Sequence, residues 1–85
     1  MEKNVVPKKI DNYEKIEMSD GTVIHKNQFI HTLNSTGLEI FELCDNKLSV
    51  QEIIEIMKTR YSDVDIDSLV ENFIIELNKN GLITL

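Results

Sequence analysis

The residues of this chain that could do chemistry are few, and their spacing brings no reactive set together. Two histidines, His25 and His31, lie six positions apart, with no acidic or thiol residue at metal-ligand spacing. The single cysteine, Cys44, cannot form an internal disulfide, and its place on the apolar face of a predicted helix indicates a packing role. No nucleophile–base pair can be assembled from these side chains. The sequence therefore predicts a protein that is not an enzyme and that uses no metal and no cofactor.

The chain length limits the scaffold that could position these residues. Eighty-five residues make a single domain, 1–85, whose core is small but sufficient. Residues 1–9 are polar, contain the only proline and are expected to be flexible. No apolar run approaches the roughly twenty residues of a membrane span, and the N-terminus has no apolar signal segment. The expected location is the cytoplasm.

The charge balance argues against nucleic acid as a partner. The formal net charge is −6, from 15 acidic and 9 basic residues, whereas nucleic-acid binders usually present a basic face to the phosphates. Several acidic residues cluster in the C-terminal half, namely Asp63, Asp65, Asp67, Glu71 and Glu76. The cluster is either a solvated surface or a field that attracts a basic partner, such as a docking enzyme.

Three extended segments with short turns between them predict an antiparallel meander. The first covers residues 13–18 and alternates apolar with charged residues, the second covers 22–25, and the third covers 28–33. The dipeptide Asp20-Gly21 predicts the first turn, because glycine tolerates positive φ. Lys26-Asn27 predicts the second turn.

Three amphipathic segments after residue 33 predict three helices. Asn34-Ser35-Thr36 supplies N-cap chemistry to the first helix, and Ser49-Val50-Gln51-Glu52 forms a capping box at the second. Asp65 or Asp67 is expected to cap the third helix, and Asn46 is expected to take a left-handed conformation after the first. The predicted fold class is α+β, a three-stranded antiparallel β-meander followed by three helices.

The third strand and the third helix both carry more apolar surface than one packing face needs. The strand has Phe29 and Leu33 on one face and Ile30 on the other. A helix that packs on one core needs an apolar stripe slightly wider than 100°. The third helix exceeds that width with the apolar residues Ile66, Leu69, Val70, Phe73, Ile74, Ile75 and Leu77. These surplus surfaces either touch several elements of the core or form two walls of a groove for a partner.

A series of short motifs runs from Leu33 to the end of the chain. Leu33-Asn34-Ser35-Thr36-Gly37 is similar to a motif LN-x-T-(G/A) that precedes a first helix, and Ile40-Phe41-Glu42-Leu43-Cys44-Asp45-Asn46 is similar to I-(W/L)-x-L-x-D-G. Ser49-Val50-Gln51-Glu52-Ile53-Ile54 is similar to T-V-x-E-I, and Asn80-Gly81-Leu82-Ile83 closes the last helix. In these motifs the chain resembles the PqqD-like family of peptide-binding domains, also called RiPP recognition elements. It departs from the family pattern at Asn46, where glycine is usual.

The resemblance implies a fold and a function. The implied fold is three strands followed by three helices in a winged-helix-like arrangement. Such domains bind the leader segment of a ribosomally made precursor peptide as a strand added to the third strand and packed on the third helix. They present the core peptide to a modifying enzyme, such as a radical-SAM protein, a cyclase or a leader peptidase. Carried over residue by residue, the implied peptide-binding set is Gln28, Phe29, Ile30, His31, Thr32, Leu69, Val70, Phe73, Ile74 and Leu77.

Two features of this set leave alternatives open. His31 stands where the family often has an apolar or aromatic residue, so it is either structural or in contact with an acidic leader residue that favours its charged form. In the second case His31→Ala changes leader affinity more at pH 6 than at pH 8. An uncovered strand edge also allows a homodimer through that edge.

Two other classes of protein share parts of this pattern. Asp67-Ser68-Leu69 looks like the Asp-Ser-Leu motif of acyl carrier proteins, in which Ser68 would hold phosphopantetheine. Only residues 69–85 follow Ser68, too few for the helices that the carrier family places after the motif. Winged-helix DNA-binding proteins have a similar order of elements, but a recognition helix carries Arg, Lys, Asn or Gln toward the groove. The third helix here carries Asp67, Glu71 and Glu76 instead.

Overall fold

The structure, a computed structural model, describes residues 1–62 and 65–85. Within these residues the elements in chain order are β1 (Lys8–Lys9), β2 (Glu14–Met18), β3 (Gly21–Lys26), β4 (Phe29–Leu33), α1 (Ser35–Leu43), α2 (Val50–Arg60), α3 (Ile66–Lys79) and β5 (Ile83–Thr84). Strands β2, β3 and β4 form one antiparallel sheet, and the helices follow it, which confirms the predicted α+β fold. Asp63, which the sequence places in the acidic cluster, and Val64 lie outside the described residues.

The sheet has the order β2-β3-β4, as a meander requires. Both turns lie one residue away from their predicted centres. The first is centred on Ser19 and Asp20, and the second on Asn27 and Gln28. Asn27 has a φ of 55°, a left-handed conformation that asparagine tolerates because its short polar side chain can bond locally. Gln28, predicted to begin the third strand, therefore belongs to the turn, and β4 begins at Phe29.

Side-chain caps start the first two helices. The Asn34 carboxamide oxygen accepts a hydrogen bond from the Gly37 N–H at 2.7 Å, which fixes the junction between β4 and α1. The predicted capping box is present at α2, where Ser49 and Glu52 each accept a bond from the backbone N–H of the other. Asp65 precedes α3 but makes no side-chain cap bond.

The core lies between the inner face of the sheet and the three helices. Ile24 of the central strand is fully buried in it, and α1 packs on both β3 and α3. The helices contribute their predicted apolar faces, including the fully buried Ile40, Phe41, Ile53, Ile54, Met57, Val70 and Ile74. None of the helices in residues 1–62 and 65–85 is long and apolar enough to span a membrane.

Backbone hydrogen bonds attach the N-terminal segment to the helical half. The carbonyls of Lys3 and Val5 accept from the first two N–H groups of α2, and β1 pairs with β5. The Asn46 N–H donates to the Pro7 carbonyl at 3.0 Å, and Asn46 has the expected left-handed conformation with a φ of 67°. Because these partners are distant in sequence, local composition does not reveal them. The flexibility expected for residues 1–9 stays a prediction that hydrogen exchange would test.

Candidate functional site

β4 is an edge strand, and no other strand in the described part of the chain pairs with its outer side. The two-residue turn before it closes on the pair Lys26–Phe29, which exchanges two backbone hydrogen bonds. Hydrogen-bonded and non-hydrogen-bonded pairs alternate along an antiparallel ladder. His31 therefore also bonds to β3, while Ile30 and Thr32 direct their N–H and C=O groups to the free edge.

The other outer strand of the sheet, β2, presents a different edge. Three of its five residues are charged, namely Glu14, Lys15 and Glu17, and charged side chains on an outer strand discourage pairing with another chain. β4 has the sequence FIHTL, with no acidic residue, lysine or arginine. Of the two edges, β4 is the one whose composition permits an added strand.

The side chains of β4 alternate between the two faces of the sheet. Phe29 and His31 are half-buried on the inner face, with their ring centroids 4.6 Å apart. Ile30 is 63% exposed on the outer face, and Thr32 is exposed beside it. Of the implied strand residues, Phe29 and His31 thus point toward the helices. Ile30 and Thr32 offer only their backbone groups to the edge, and Gln28 lies in the turn.

The structure separates the implied residues of α3 into core and surface. Val70, Ile74 and Leu77 are buried in the hydrophobic core, where a bound peptide would not reach them. Leu69 is exposed and Phe73 is half-buried. The implied helix wall is therefore reduced to Leu69 and Phe73, because the central part of the apolar stripe is used to pack α3 on α1 and α2.

The term groove is used here for the surface between the inner-face residues Phe29 and His31 of β4 and the residues Leu69 and Phe73 of α3, none of which is fully buried. Gly81, just after α3, lies close to the Phe29 ring: a Cβ added at Gly81 would be 3.6 Å from Cε2 of Phe29. From Phe29 to the end of β4 the strand spans about 13 Å. From Phe73 to Lys79, its last residue, α3 spans about 9 Å. Because Gly81 lies near Phe29 and Phe73 lies near Gly37, the start of β4 is close to the C-terminal end of α3, and the residues just after β4 are close to the middle of the helix.

An open cleft of about 250 Å³ lies beside Asn34, the residue that follows β4. The cleft lies between the start of α1 and the first half of α3, and it is lined by Asn34, Thr36, Gly37, Ile40, Leu69 and Phe73. The Phe73 ring covers Gly37 so closely that a Cβ at Gly37 would lie 2.6 Å from Cζ of Phe73. The absence of a side chain at position 37 thus makes room for the ring.

The α1 residues that line the cleft are absent from the set implied by the sequence. The one local indication was Gly37, because a glycine on the apolar face of a helix usually marks a close approach. A second depression, of about 460 Å³, lies between the β2–β3 turn and α1. Its lining is mostly polar and includes Glu17 and Asp20, so it offers less to an apolar partner.

Two of the four charged residues of α3, Asp67 and Glu71, are paired with other parts of the described chain. Lys58 Nζ lies 2.9 Å from Asp67 Oδ1, and this hydrogen bond lowers the pKa of Asp67 and raises the pKa of Lys58. Glu71 lies 3.2 Å from the α-amino group of Met1. This internal pairing reduces the negative field that the acidic cluster was expected to offer a docking enzyme. In the described residues, no three His, Cys, Asp or Glu side chains are grouped to hold a metal ion.

Cys44 lies in the core at the end of α1 and donates a hydrogen bond to the Ile40 carbonyl at 3.3 Å. Burial raises the pKa of its thiol to about 12. A thiol with this pKa carries almost no thiolate near neutral pH, so it lacks the nucleophile that cysteine chemistry needs. The structure agrees with the packing role expected for this residue.

A three-stranded sheet whose outer strand β4 contains no acidic residue, lysine or arginine, followed by three helices with a mostly apolar cleft between α1 and α3, defines a small recognition domain of the α+β class. The family model described as coenzyme PQQ synthesis protein D (PqqD) matches residues 18–83, well over half of the chain. The chain belongs to the PqqD family, whose fold is that of the RiPP recognition element. This family consists of non-catalytic recognition proteins, and membership implies a peptide partner in RiPP biosynthesis. Comparisons with curated proteins and with solved structures find no significant match.

Proposed function

We propose that this protein binds the leader segment of a ribosomally synthesised precursor peptide as a strand added to β4 and packed against α3. The bound leader would present the core peptide to a modifying enzyme, such as a radical-SAM protein, a cyclase or a leader peptidase. The observation that carries the proposal is the unpaired edge of β4, a strand without acidic residues, lysine or arginine, beside the groove.

The edge suits a peptide partner for two physical reasons. Unpaired N–H and C=O groups at Ile30 and Thr32 can bind any extended backbone, which gives affinity with little demand on sequence. Side chains of the added strand alternate in direction, so every second one points into the groove, toward Phe29, His31 and Phe73. These contacts would supply the selectivity.

The two other classes considered from the sequence gain no support from these surfaces. α3 carries the engaged carboxylates of Asp67 and Glu71, whereas a DNA recognition helix needs basic or amide side chains. Ser68 lies in the first turn of α3, and the only described elements after it are the rest of that helix and the short strand β5. Both remain outcomes that the experiment below can detect.

The test is an NMR titration of the ¹⁵N-labelled protein with the N-terminal segment of a short peptide encoded beside this gene. Saturable shifts are expected at β4, at Leu69 and Phe73, and at the start of α1. A duplex DNA titration and an intact mass measurement are the controls for DNA binding and for an adduct on Ser68. Sedimentation without peptide shows whether copies of the chain associate.

Two results would contradict the proposal. The first is a saturable peptide response that avoids β4 and centres on the opposite edge, β2. The second is a response to DNA at concentrations where the peptide has no effect. A phosphopantetheine mass increase that disappears in Ser68→Ala would favour the carrier class instead.

A further inference from the structure

The outer face of the sheet, on the side away from the helices, is apolar at positions where a sheet of this kind is usually polar. Lys15 of β2 pairs with Ile24, which is buried in the core, so Lys15 and Glu17 lie on the helical side of the sheet. Ile16 and Met18 alternate with them, point to solvent, and are 46% and 59% exposed. An antiparallel sheet covered on one face normally has the reverse pattern, with polar residues outside. The packing of the fold therefore gives no reason for apolar residues at these positions.

The outward apolar residues of the three strands adjoin one another. Ile16 lies directly opposite Val23 of β3, and Met18 is the next outward residue of β2. Ile30 of β4 lies diagonally across from Val23 and is 63% exposed. These four residues are called the outer patch. Single exposed apolar residues are common on proteins, but a contiguous set indicates an interaction surface. Because Ile30 belongs to β4, the outer patch reaches the edge where the leader is proposed to bind.

The size of the outer face favours one kind of partner over another. Strands of five or six residues span about 17 Å, and three of them about 14 Å, so the face covers roughly 240 Å². Stable complexes bury about 800 Å² on each partner, so a second copy bound through this face alone would be held weakly. A modifying enzyme also holds the core peptide in its active site, and two linked contacts reinforce one another. A small docking surface is sufficient for such an enzyme.

The charges around the outer patch indicate the chemistry of its partner. Glu14, beside His25, lies at one end of the face with its side chain 76% exposed, and the exposed Asp20 lies in the turn at the other end. The lysines of the two strands, Lys15 and Lys26, are at inward positions. The whole chain has a net charge of −6. A partner surface with an apolar centre and lysine or arginine around it is complementary to this arrangement.

We infer that the outer patch is the docking surface for the modifying enzyme, which contacts it with an apolar surface bordered by lysine or arginine. The inference rests on the proposed function and deepens it, because it names the surface and the chemistry of the second partner. Every second side chain of a leader added to β4 lies on the outer face, beside Ile30 and Thr32. The bound leader thus widens the docking surface by about 5 Å, and the enzyme binds the loaded protein more tightly than the free one.

A matched pair of variants tests the docking surface. Ile16 is 46% exposed in the outer patch, and Ile75 is 41% exposed on α3, on the other side of the sheet. Ile16→Lys and Ile75→Lys therefore make the same change at similar depth. The probe is the purified radical-SAM protein, cyclase or leader peptidase encoded beside this gene, and biolayer interferometry with saturating leader segment measures its binding. We expect Ile16→Lys to weaken enzyme binding about tenfold or more, and Ile75→Lys to leave it within about twofold.

A second variant in the outer patch guards against loss of the fold. Met18→Lys changes a more exposed side chain that lies opposite Gly21, and it should weaken enzyme binding to a similar degree. Both variants should bind the leader segment within about twofold of the wild type in the NMR titration, because β2 lies about 10 Å from β4. In the wild type, the leader segment without the core peptide should strengthen enzyme binding about threefold or more.

The outcomes separate the docking surface from the proposed function. The inference is overturned if the wild type with bound leader does not bind the enzyme, or if both patch variants bind it normally. It is also overturned if Ile75→Lys is equally harmful. Self-association of the wild type that Ile16→Lys abolishes in sedimentation would assign the outer patch to a second copy instead. The proposed function fails separately, when the leader segment leaves the β4 amides unshifted.

Discussion

Replacing Ile30 by proline tests the direction of the backbone groups along β4. Proline removes the N–H, and at Ile30 that group points to the free edge, so no bond within the sheet is lost. The side chain is 63% exposed and makes little contribution to the core. We expect Ile30→Pro to lower the free energy of unfolding by less than about 1 kcal/mol in urea denaturation. His31→Pro should cost about 1–3 kcal/mol, because it removes an N–H that bonds to β3.

The same variant should have a large effect on peptide binding. Ile30→Pro removes one hydrogen bond to the added strand, worth about 0.5–1.5 kcal/mol, and leaves a peptide carbonyl without its partner at about 1–3 kcal/mol. We therefore expect affinity for the N-terminal peptide to fall at least about tenfold. Calorimetry on the folded variant measures this change, and its circular dichroism shows that the fold is intact.

Two controls make the result specific to the edge. Ile30→Thr keeps the N–H and the β-branched shape and should bind within about threefold of the wild type. Glu17→Pro removes the equivalent outward N–H from β2, the charged edge, and should bind like the wild type. The reasoning is refuted if Ile30→Pro binds normally, if Glu17→Pro is equally harmful, or if Ile30→Pro unfolds.

Three further predictions concern the scaffold. Gly37→Ala should destabilise the fold by about 1 kcal/mol in urea denaturation, because the new alanine Cβ would press on the Phe73 ring. A gain in stability would show that the Phe73 ring is not held over Gly37. Cys44 should react with a disulfide reagent at pH 8 only when the protein unfolds, because burial raises the pKa of its thiol to about 12. Rapid modification of Cys44 in the native protein would contradict this prediction. Partial burial of Glu42 opposes its ionisation, but its hydrogen bond from Lys9 at 3.0 Å lowers the carboxyl pKa below 4.5. The ionised Glu42 carboxylate therefore stabilises the fold above pH 4.5. This stabilisation is lost as the pH falls through the lowered pKa. The stability difference between wild type and Glu42→Gln should accordingly shrink on acidification, and a difference that is constant from pH 6 to pH 3 would disprove the assignment.

Local chemistry accounts for the parts of the fold that could be predicted from the sequence. Ser49 and Glu52 form the capping box at the start of α2 with their own side chains. Because the two residues are only three positions apart, the sequence pattern alone predicted where the helix begins. The left-handed conformation of Asn46 likewise follows from the residue type. The alternation of Phe29 and His31 with Ile30 and Thr32 gave the correct faces of β4.

Features set by distant partners could not be predicted. The short pairing of β1 with β5 depends on residues at opposite ends of the chain. Periodicity gave α3 an apolar stripe wider than one face, but it could not say that Val70 lies in the core while Leu69 lines a cleft. That division depends on where α1 crosses α3, and the bare backbone at Gly37 is what lets Phe73 lie over α1.

Backbone hydrogen exchange at β4, measured with and without the N-terminal peptide, is the most direct test of strand addition. Without peptide, the amides of Ile30 and Thr32 should exchange rapidly because they face solvent, and His31 should be protected by its bond to β3. With saturating peptide, Ile30 and Thr32 should become protected together, with little change at Glu17 on the opposite edge. Peptide binding that leaves Ile30 and Thr32 in rapid exchange would contradict strand addition to β4.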